Sequence, residues 1–284
     1  MTLRSLRSLF CDTWKLYKER WSVLVEIVLL PVLVMVLGYV LKGLDLGYFS
    51  PLLGTLIILV GWIGFLFSVF TIIFSIHHAT GVDASYKEAI KWFWPFVWLT
   101  VLEVLAVAGG FVMLIIPGIW LAFSFSFVAY GFVIEHRRGI DALRQSKEYV
   151  KGYWWAVLGR ILLLGLILFV VELIVRFLAA FLGGSIGASI AYLALLTFTV
   201  PFSVIYSYVI FKNLRELKPD LAEMRTEKGK GFIKASAIVG VVAFVLILLG
   251  LVLFAGAGSI HGLRHVDRYP SPPPGYGMQG SLQQ

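Results

Sequence analysis

The chain has 284 residues, of which 60% are apolar and 14% are charged, and its mean hydropathy is +0.90. A soluble domain is about 45–50% apolar and about 25% charged, so the composition excludes a water-soluble globular enzyme, a disordered chain and a disulfide scaffold. The formal net charge is +8. With this hydropathy we expect the basic residues to lie in loops beside a membrane, and we expect no nucleic-acid partner.

Long apolar runs predict an all-α, polytopic membrane bundle. About 20 apolar residues are enough to cross the hydrocarbon core. The predicted spans are 22–41, 52–76, 95–116, 118–134, 155–180, 187–211 and 233–256. Pro117-Gly118 predicts a tight turn between the third and fourth spans. The first 20 residues show no apolar signal-peptide region, so we expect the first span to serve as its own insertion signal.

The same pattern divides the chain into four parts. We predict a six-helix membrane domain at 1–212, a basic cytoplasmic linker at 213–232, a seventh transmembrane helix at 233–256 and a tail at 257–284. The tail ends in YPSPPPGYGMQGSLQQ. A segment so rich in Pro, Gly and Gln cannot build a packed core, so the tail is predicted to be disordered.

The distribution of Lys and Arg predicts the orientation. Of the 24 Lys and Arg residues, 18 fall in the N-terminus and loops of one side, whereas the other side has Lys42, Arg264 and Arg268. Basic loops are typically cytoplasmic, so we expect a cytoplasmic N-terminus and, after seven spans, an outer C-terminus. Seven tryptophans also fall near the cytoplasmic ends of the spans, where indole rings are enriched: Trp14, Trp21, Trp92, Trp94, Trp98, Trp154 and Trp155.

Three similar stretches predict an internal repeat. A polar-aromatic segment of helical character precedes spans one, three and five, at 8–20, 85–94 and 139–154. Each segment is followed by a similar string, WSVLVE (21–26), WLTVLE (98–103) and WAVLGR (155–160). We therefore predict three copies of one unit, an interfacial helix plus a helix pair, with the seventh helix as an addition.

The repeat assigns equivalent positions to Glu26, Glu103 and Arg160, each five residues after a tryptophan. Charges inside a span are costly and often functional. One interpretation is a cytoplasm-facing polar cluster that binds a lipid head group or a small solute, and another is the coupling or selectivity site of a transporter or channel. The structural alternative is that the three side chains snorkel and only mark the span ends.

Other charged residues have simpler interpretations. The third interfacial segment carries Arg144, Lys147, Lys151, Trp154 and Trp155, which we expect to contact anionic lipid head groups. Glu172 and Arg176 in span five have the i, i+4 spacing of an intrahelical ion pair.

The sequence shows no catalytic pattern. It contains no GxSxG, P-loop or GxGxxG string. Cys11 is the single cysteine, so neither an intramolecular disulfide nor a CxxC site can form. His261 and His265 have helical zinc spacing but enclose Gly262 and no glutamate. We predict no catalytic residues, no metal and no cofactor, and thus a non-enzymatic protein.

The stretch IIPGIWLAFSFSFVAYGFVIEHRRGIDALRQSKEYVKGYWW (115–155) resembles a known family. Its Pro-Gly turn, short span, Glu135, Gly139 and aromatic entry to the next span are similar to the membrane domain of glycerophosphoryl diester phosphodiesterase-type and YciC-like prokaryotic proteins. The resemblance implies a multi-pass domain without an assigned activity. The soluble phosphodiesterase barrel that is sometimes fused to this domain has no counterpart in the sequence.

A further alternative for the function is a membrane scaffold that recruits a partner through its linker or tail.

Overall fold

The computed structural model describes residues 3–44, 49–222, 231–247 and 249, with 182–190 and 222 as backbone only. The chain divides into two compact units, Met1–Gly240 and Val241–Gln284. The helices in the described residues are α1 (Leu6–Gly43), α2 (Phe49–His78), α3 (Val82–Lys91), α4 (Phe93–Met113), α5 (Ile115–Ser124), α6 (Val128–Glu135), α7 (Gly139–Val150), α8 (Trp154–Leu217) and α9 (Gly231–Ile247). A 3-10 helix at Pro219–Ala222 follows α8, and these residues contain no strand.

Six stretches of the described residues are long and apolar enough to cross a membrane: Leu6–Gly43, Phe49–His78, Phe93–Met113, Ile115–Glu135, Trp154–Phe181 and Ala191–Leu217. They confirm the predicted all-α bundle, and the protein is a multi-pass membrane protein whose apolar helices belong in a lipid bilayer. α9 is shorter than these six. Three predicted features lie wholly or partly outside the described residues: the linker residues 223–230, the tail at 257–284 and the end of the seventh span after 247, of which only residue 249 is described.

The two apolar stretches of α8 run antiparallel. The Tyr206 hydroxyl donates to the carbonyl oxygen of Arg160 at 3.4 Å, and the Arg176 guanidinium lies 4.0 Å from the centre of the Tyr192 ring. In a straight helix, Arg160 and Tyr206 would be about 69 Å apart. Arg176 also forms the predicted ion pair with Glu172, at 3.1 Å. A neighbouring ring and an intrahelical carboxylate therefore surround this arginine within the span.

The connection between the third and fourth spans differs from the prediction. α4 ends at Met113, Leu114 is extended, and α5 already begins at Ile115. Pro117 thus lies in the first turn of α5, where a proline removes no helical hydrogen bond. Gly118 faces α4, since a Cβ atom there would lie 2.4 Å from the Phe111 ring. The Pro-Gly pair therefore starts a helix and lets it approach its neighbour, while Leu114 makes the turn.

The fourth span is broken in its middle. α5 ends at Ser124 and α6 begins at Val128, so the backbone between them leaves the helical hydrogen-bonding pattern. Ser146 of α7 supplies the missing partners: its hydroxyl donates to the carbonyl oxygen of Ser124 at 2.7 Å and accepts from the N–H of Phe127 at 3.2 Å. An irregular backbone at membrane depth needs such internal partners. α7 is therefore packed into the bundle against the break.

The three polar-aromatic segments fold differently. The segment at 8–20 is the beginning of the continuous helix α1, whereas α3 and α7 are separate helices. α7 is separated from α8 at Gly152, whose φ of +83° favours glycine. The three similar strings that follow these segments, at 21–26, 98–103 and 155–160, lie within the continuous helices α1, α4 and α8. The predicted threefold repeat stays a prediction.

Candidate functional site

Glu135 is the centre of a hydrogen-bonded cluster at one end of the bundle. It is the last residue of α6, which stops there because His136 adopts the left-handed conformation with φ of 53°. The Glu135 side chain is 3% exposed. It accepts hydrogen bonds from the Tyr149 hydroxyl at 2.7 Å and from the Gln145 side-chain amide, and it forms an ion pair with Arg215, whose Nε lies 3.2 Å from Oε1. A buried carboxylate is tolerated only when it is paired and hydrogen-bonded in this way.

The partners of Glu135 come from separate parts of the chain. Tyr149 and Gln145 belong to α7, and Arg215 belongs to the end of α8. Gln145 also donates to the carbonyl oxygen of Leu221 in the 3-10 helix, at 3.2 Å. The pKa of Tyr149 is raised above its ordinary value, mainly by burial and also by the hydrogen bond to Glu135 and its charge. The phenol therefore stays a neutral donor. One carboxylate thus joins α6, α7 and α8.

Lys218 binds the C-terminal end of α7. Its ammonium donates to the carbonyl oxygens of Glu148, Tyr149 and Lys151 at 2.5, 3.1 and 2.6 Å. These carbonyls have no partner within their own helix, and the helix dipole makes this end negative. Burial lowers the pKa of Lys218 from its ordinary value. The lysine therefore fixes the α7 terminus to the segment after α8.

The N-terminus joins the same end of the bundle. The Arg4 guanidinium pairs with Asp12 at 3.0 Å and with Glu216 at 3.1 Å, and the Arg4 N–H donates to Asn213 Oδ1 at 2.9 Å. Arg160 Nη2 in turn donates to the carbonyl oxygen of Arg4 at 2.8 Å. The ion pairs are half exposed and contribute little individually, but they place the start of α1 beside the end of α8.

We call this end the polar layer, defined by Arg4, Glu135, Tyr149, Arg215 and Lys218. Four buried side-chain atoms in the described residues have no hydrogen-bond partner: His77 Nδ1, Arg144 Nε, Gln145 Oε1 and Arg160 Nε. Gln145 belongs to the Glu135 cluster, and Arg160 bonds to Arg4. His77 lies close enough to His78, Arg215 and His136 to interact with them electrostatically. Three of these four residues therefore border the polar layer, and Arg144 directly precedes Gln145 in α7.

Aromatic and basic side chains surround the polar layer. Trp92 stacks against His136 with ring centres 6.4 Å apart, which places the start of α4 beside the end of α6. Trp94 and Trp155, at the starts of α4 and α8, are 76% and 78% exposed. Arg138 lies over the Trp92 ring at 4.8 Å. Exposed tryptophans beside cationic groups are typical of the membrane interface.

The three predicted site residues have separate surroundings. Glu26 is exposed on α1, and Arg160 donates to the carbonyl oxygens of Ala156 and Arg4, each at 2.8 Å. Glu103 lines a cavity of about 520 Å³ beside α4 and α5. It is also the eleventh residue of the 21-residue helix α4, hence deeper than the tryptophan spacing predicted. The hydrogen bonds and ion pairs of the described residues link none of the three to another.

The predicted lipid-contacting residues vary in exposure. Trp155 and Lys151 are exposed, and Lys151 lies 3.5 Å from Glu148. Lys147 is half buried over the rings of Trp120 and Phe232, at 4.9 and 5.5 Å. Trp154 is also half buried and donates to the carbonyl oxygen of Trp120 at 3.4 Å. Arg144 is half buried, with its Nε enclosed.

Sequence reasoning missed the role of Glu135 as the centre of the cluster. The available signal was a carboxylate at the very end of an apolar span, but its partners Tyr149 and Arg215 are 14 and 80 residues away, and no spacing rule connects them.

No group of three or more His, Cys, Asp or Glu side chains suited to a metal ion occurs in the described residues. Searches for related proteins found no matching family model, no matching curated protein and no matching solved structure.

Proposed function

We propose that this chain is a non-enzymatic protein of the cell membrane that binds an anionic lipid head group at its polar layer, with the N-terminus and the polar layer in the cytoplasm. The supporting observation is that basic groups and exposed tryptophans gather around the same end of the bundle as the Glu135 cluster. The orientation rests on the excess of Lys and Arg in the loops at that end.

The chemistry of the layer favours an anion. The Glu135 carboxylate is already engaged by two hydrogen bonds and an ion pair, whereas Arg144 Nε and Arg160 Nε are donors without a partner. Phosphate oxygens accept hydrogen bonds from guanidinium groups and are attracted by basic side chains near a bilayer surface. The neighbouring tryptophans would position the bilayer surface at the same level.

Native mass spectrometry of the purified protein tests this proposal. The protein is released from micelles that contain equal amounts of phosphatidylglycerol and phosphatidylcholine. We expect the wild type to retain phosphatidylglycerol, and Arg144→Gln to retain less of it. Lys87→Gln removes one exposed positive charge from α3 and serves as the matched control. Equal retention of both lipids by the wild type, or equal losses in the two variants, would contradict a specific site.

We also propose that the chain is related to the membrane domain of glycerophosphoryl diester phosphodiesterase-type and YciC-like proteins. The support is the motif at 115–155, which here forms the broken fourth span and α7. If the relationship holds, a solved structure of that domain will show a serine of the following helix bonded across a break in the same span.

The other hypotheses concern different parts of the chain. The scaffold hypothesis relies on the linker and the tail, of which 223–230 and 257–284 lie outside the described residues. The hypothesis of a transporter or channel that uses Glu26, Glu103 and Arg160 together stays a prediction. Its test is solute flux in liposomes with Glu26→Gln or Arg160→Ala, which should abolish transport without reducing expression.

A further inference from the structure

Glu103 is an isolated carboxyl at the middle of a membrane span. Ten residues of the 21-residue helix α4 lie on each side of it, so it is about 15 Å from either end. A glutamate side chain is too short to reach the membrane surface over that distance, unlike the lysine and arginine side chains that snorkel. The described residues offer it no ion pair and no hydrogen bond. A charge left in this position is costly, and its usual explanation is a function.

The surroundings of Glu103 form an apolar groove that opens away from the protein core. The cavity of about 520 Å³ is lined by Thr100, Glu103, Val104, Val107, Ala108, Phe111 and Ala122. Val104 and Phe111 are 60% and 44% exposed on the outer side of α4. The opposite side of α4 is contacted by the first part of α9 (231–240), where the Ser236 hydroxyl donates to the carbonyl oxygen of Ala106 at 2.6 Å. The groove therefore faces the lipid at the depth of the acyl chains.

We propose that this groove is a binding site for a hydrophobic cation that enters from the bilayer. Glu103 is the only ionisable residue among the lining residues in the described part of the chain, so in its ionised form it attracts a positive group and repels a negative one. Apolar side chains on either side would accept the hydrocarbon portion of the ligand. The volume suits a drug-sized molecule, since ligand cavities usually measure about 300–1,000 Å³.

The Thr100 hydroxyl supplies a second polar contact. It donates to the carbonyl oxygen of Phe96 at 3.0 Å, which leaves its own oxygen free to accept. Thr100 and Glu103 are three residues apart on one helix and therefore lie on the same side. A carboxylate and a hydroxyl oxygen can together surround a cationic head, whereas the rest of the groove offers no polar side chain in the described residues.

A pair of ligands of equal shape and opposite charge tests the proposal. The protein, in nanodiscs of phosphatidylcholine, is titrated with radiolabelled tetraphenylphosphonium and, in a separate sample, with radiolabelled tetraphenylborate, because the two ions would form a salt if mixed. Binding to empty nanodiscs is subtracted in each case. We expect saturable binding of the cation and none of the anion. Saturable binding of tetraphenylborate with equal affinity, or the absence of saturable binding of tetraphenylphosphonium, would overturn the proposal, because the groove would then be an ordinary apolar surface.

Variants locate the site. Glu103→Gln keeps the shape and removes the charge, so the affinity should fall at least about tenfold, as expected when a buried charged partner is lost. Ala108→Phe fills the groove and leaves the carboxyl in place, and it should also weaken binding. Glu19→Gln is the matched control because its carboxyl is exposed on α1. Unchanged affinity in both groove variants, each eluting as a monodisperse peak, would refute the assignment.

Discussion

Replacing Glu135 with glutamine should destabilise the protein strongly, because the carboxylate joins three helices. Its two oxygens accept hydrogen bonds from Tyr149 and the Gln145 amide, and one of them also pairs with Arg215. Glutamine has one acceptor oxygen, so at least one of these donors would face an NH₂ group. The change therefore loses a charge-assisted hydrogen bond, about 1.5–3 kcal/mol, and leaves a buried donor unsatisfied, about 1–3 kcal/mol. These losses overlap and Arg215 is half exposed, so we expect a net cost of about 2–4 kcal/mol.

Equilibrium unfolding in mixed micelles measures this cost. The protein is titrated with sodium dodecyl sulfate in dodecyl maltoside, and unfolding is followed by the fluorescence of its nine tryptophans. Glu148→Gln is the control, because its ion pair with Lys151 at 3.5 Å is at the surface and should contribute less than about 1 kcal/mol. Equal effects of the two substitutions would refute the argument that Glu135 is the central contact. Adding Arg215→Gln to Glu135→Gln should cost less than the two separate costs combined, since both remove the same ion pair.

Two further changes test other contacts of α7. Ser146→Ala removes the side chain that satisfies the broken fourth span and should cost about 1–3 kcal/mol in the same titration. Ser126 also lies in the break, but its hydroxyl donates only locally, to the carbonyl oxygen of Ala122 at 3.3 Å, so Ser126→Ala should change the free energy of unfolding by much less. Because the pKa of Tyr149 is raised in the folded state, its contribution is present below the ordinary value of 10.0 and is lost as the pH rises above it. Stability measured between pH 9 and 11 should therefore fall more steeply in the wild type than in Tyr149→Phe, and parallel slopes would contradict the assigned environment.

The sequence predicts the spans because their physical cause is local. Each of the six membrane-spanning stretches is a run of apolar residues, and no other element can satisfy its backbone within lipid. The i, i+4 pair of Glu172 and Arg176 was predictable for the same reason, since both residues lie on one helix face. Local patterns thus determine which segments are helices and which charges on one helix can meet.

The break in the fourth span and the Glu135 cluster depend on contacts between distant segments. Nothing in the string around Ser124 shows that Ser146 will replace its helical partners, because serine is common in apolar helices. Similarly, the Pro117-Gly118 pair fits a turn as well as a first helical turn, and the packing of Gly118 against Phe111 decides between them. The equivalence of Glu26, Glu103 and Arg160 relied on sequence position alone, whereas α1, α4 and α8 place these residues in different surroundings.

Lys147 provides a direct test of how α7 sits in the bundle. The sequence assigns it to lipid contact, but its ammonium lies over the rings of Trp120 and Phe232, and burial lowers its pKa. Replacing it with methionine removes a cation–π contact of about 0.5–2 kcal/mol and also the cost of burying the charge, while the apolar stem is retained. We therefore expect Lys147→Met to change the free energy of unfolding by less than about 1 kcal/mol. Retention of phosphatidylglycerol should also be unchanged, because the charge points to protein rings. A large loss of the lipid in this variant would mean that the charged side of α7 faces head groups, as an interfacial helix would place it.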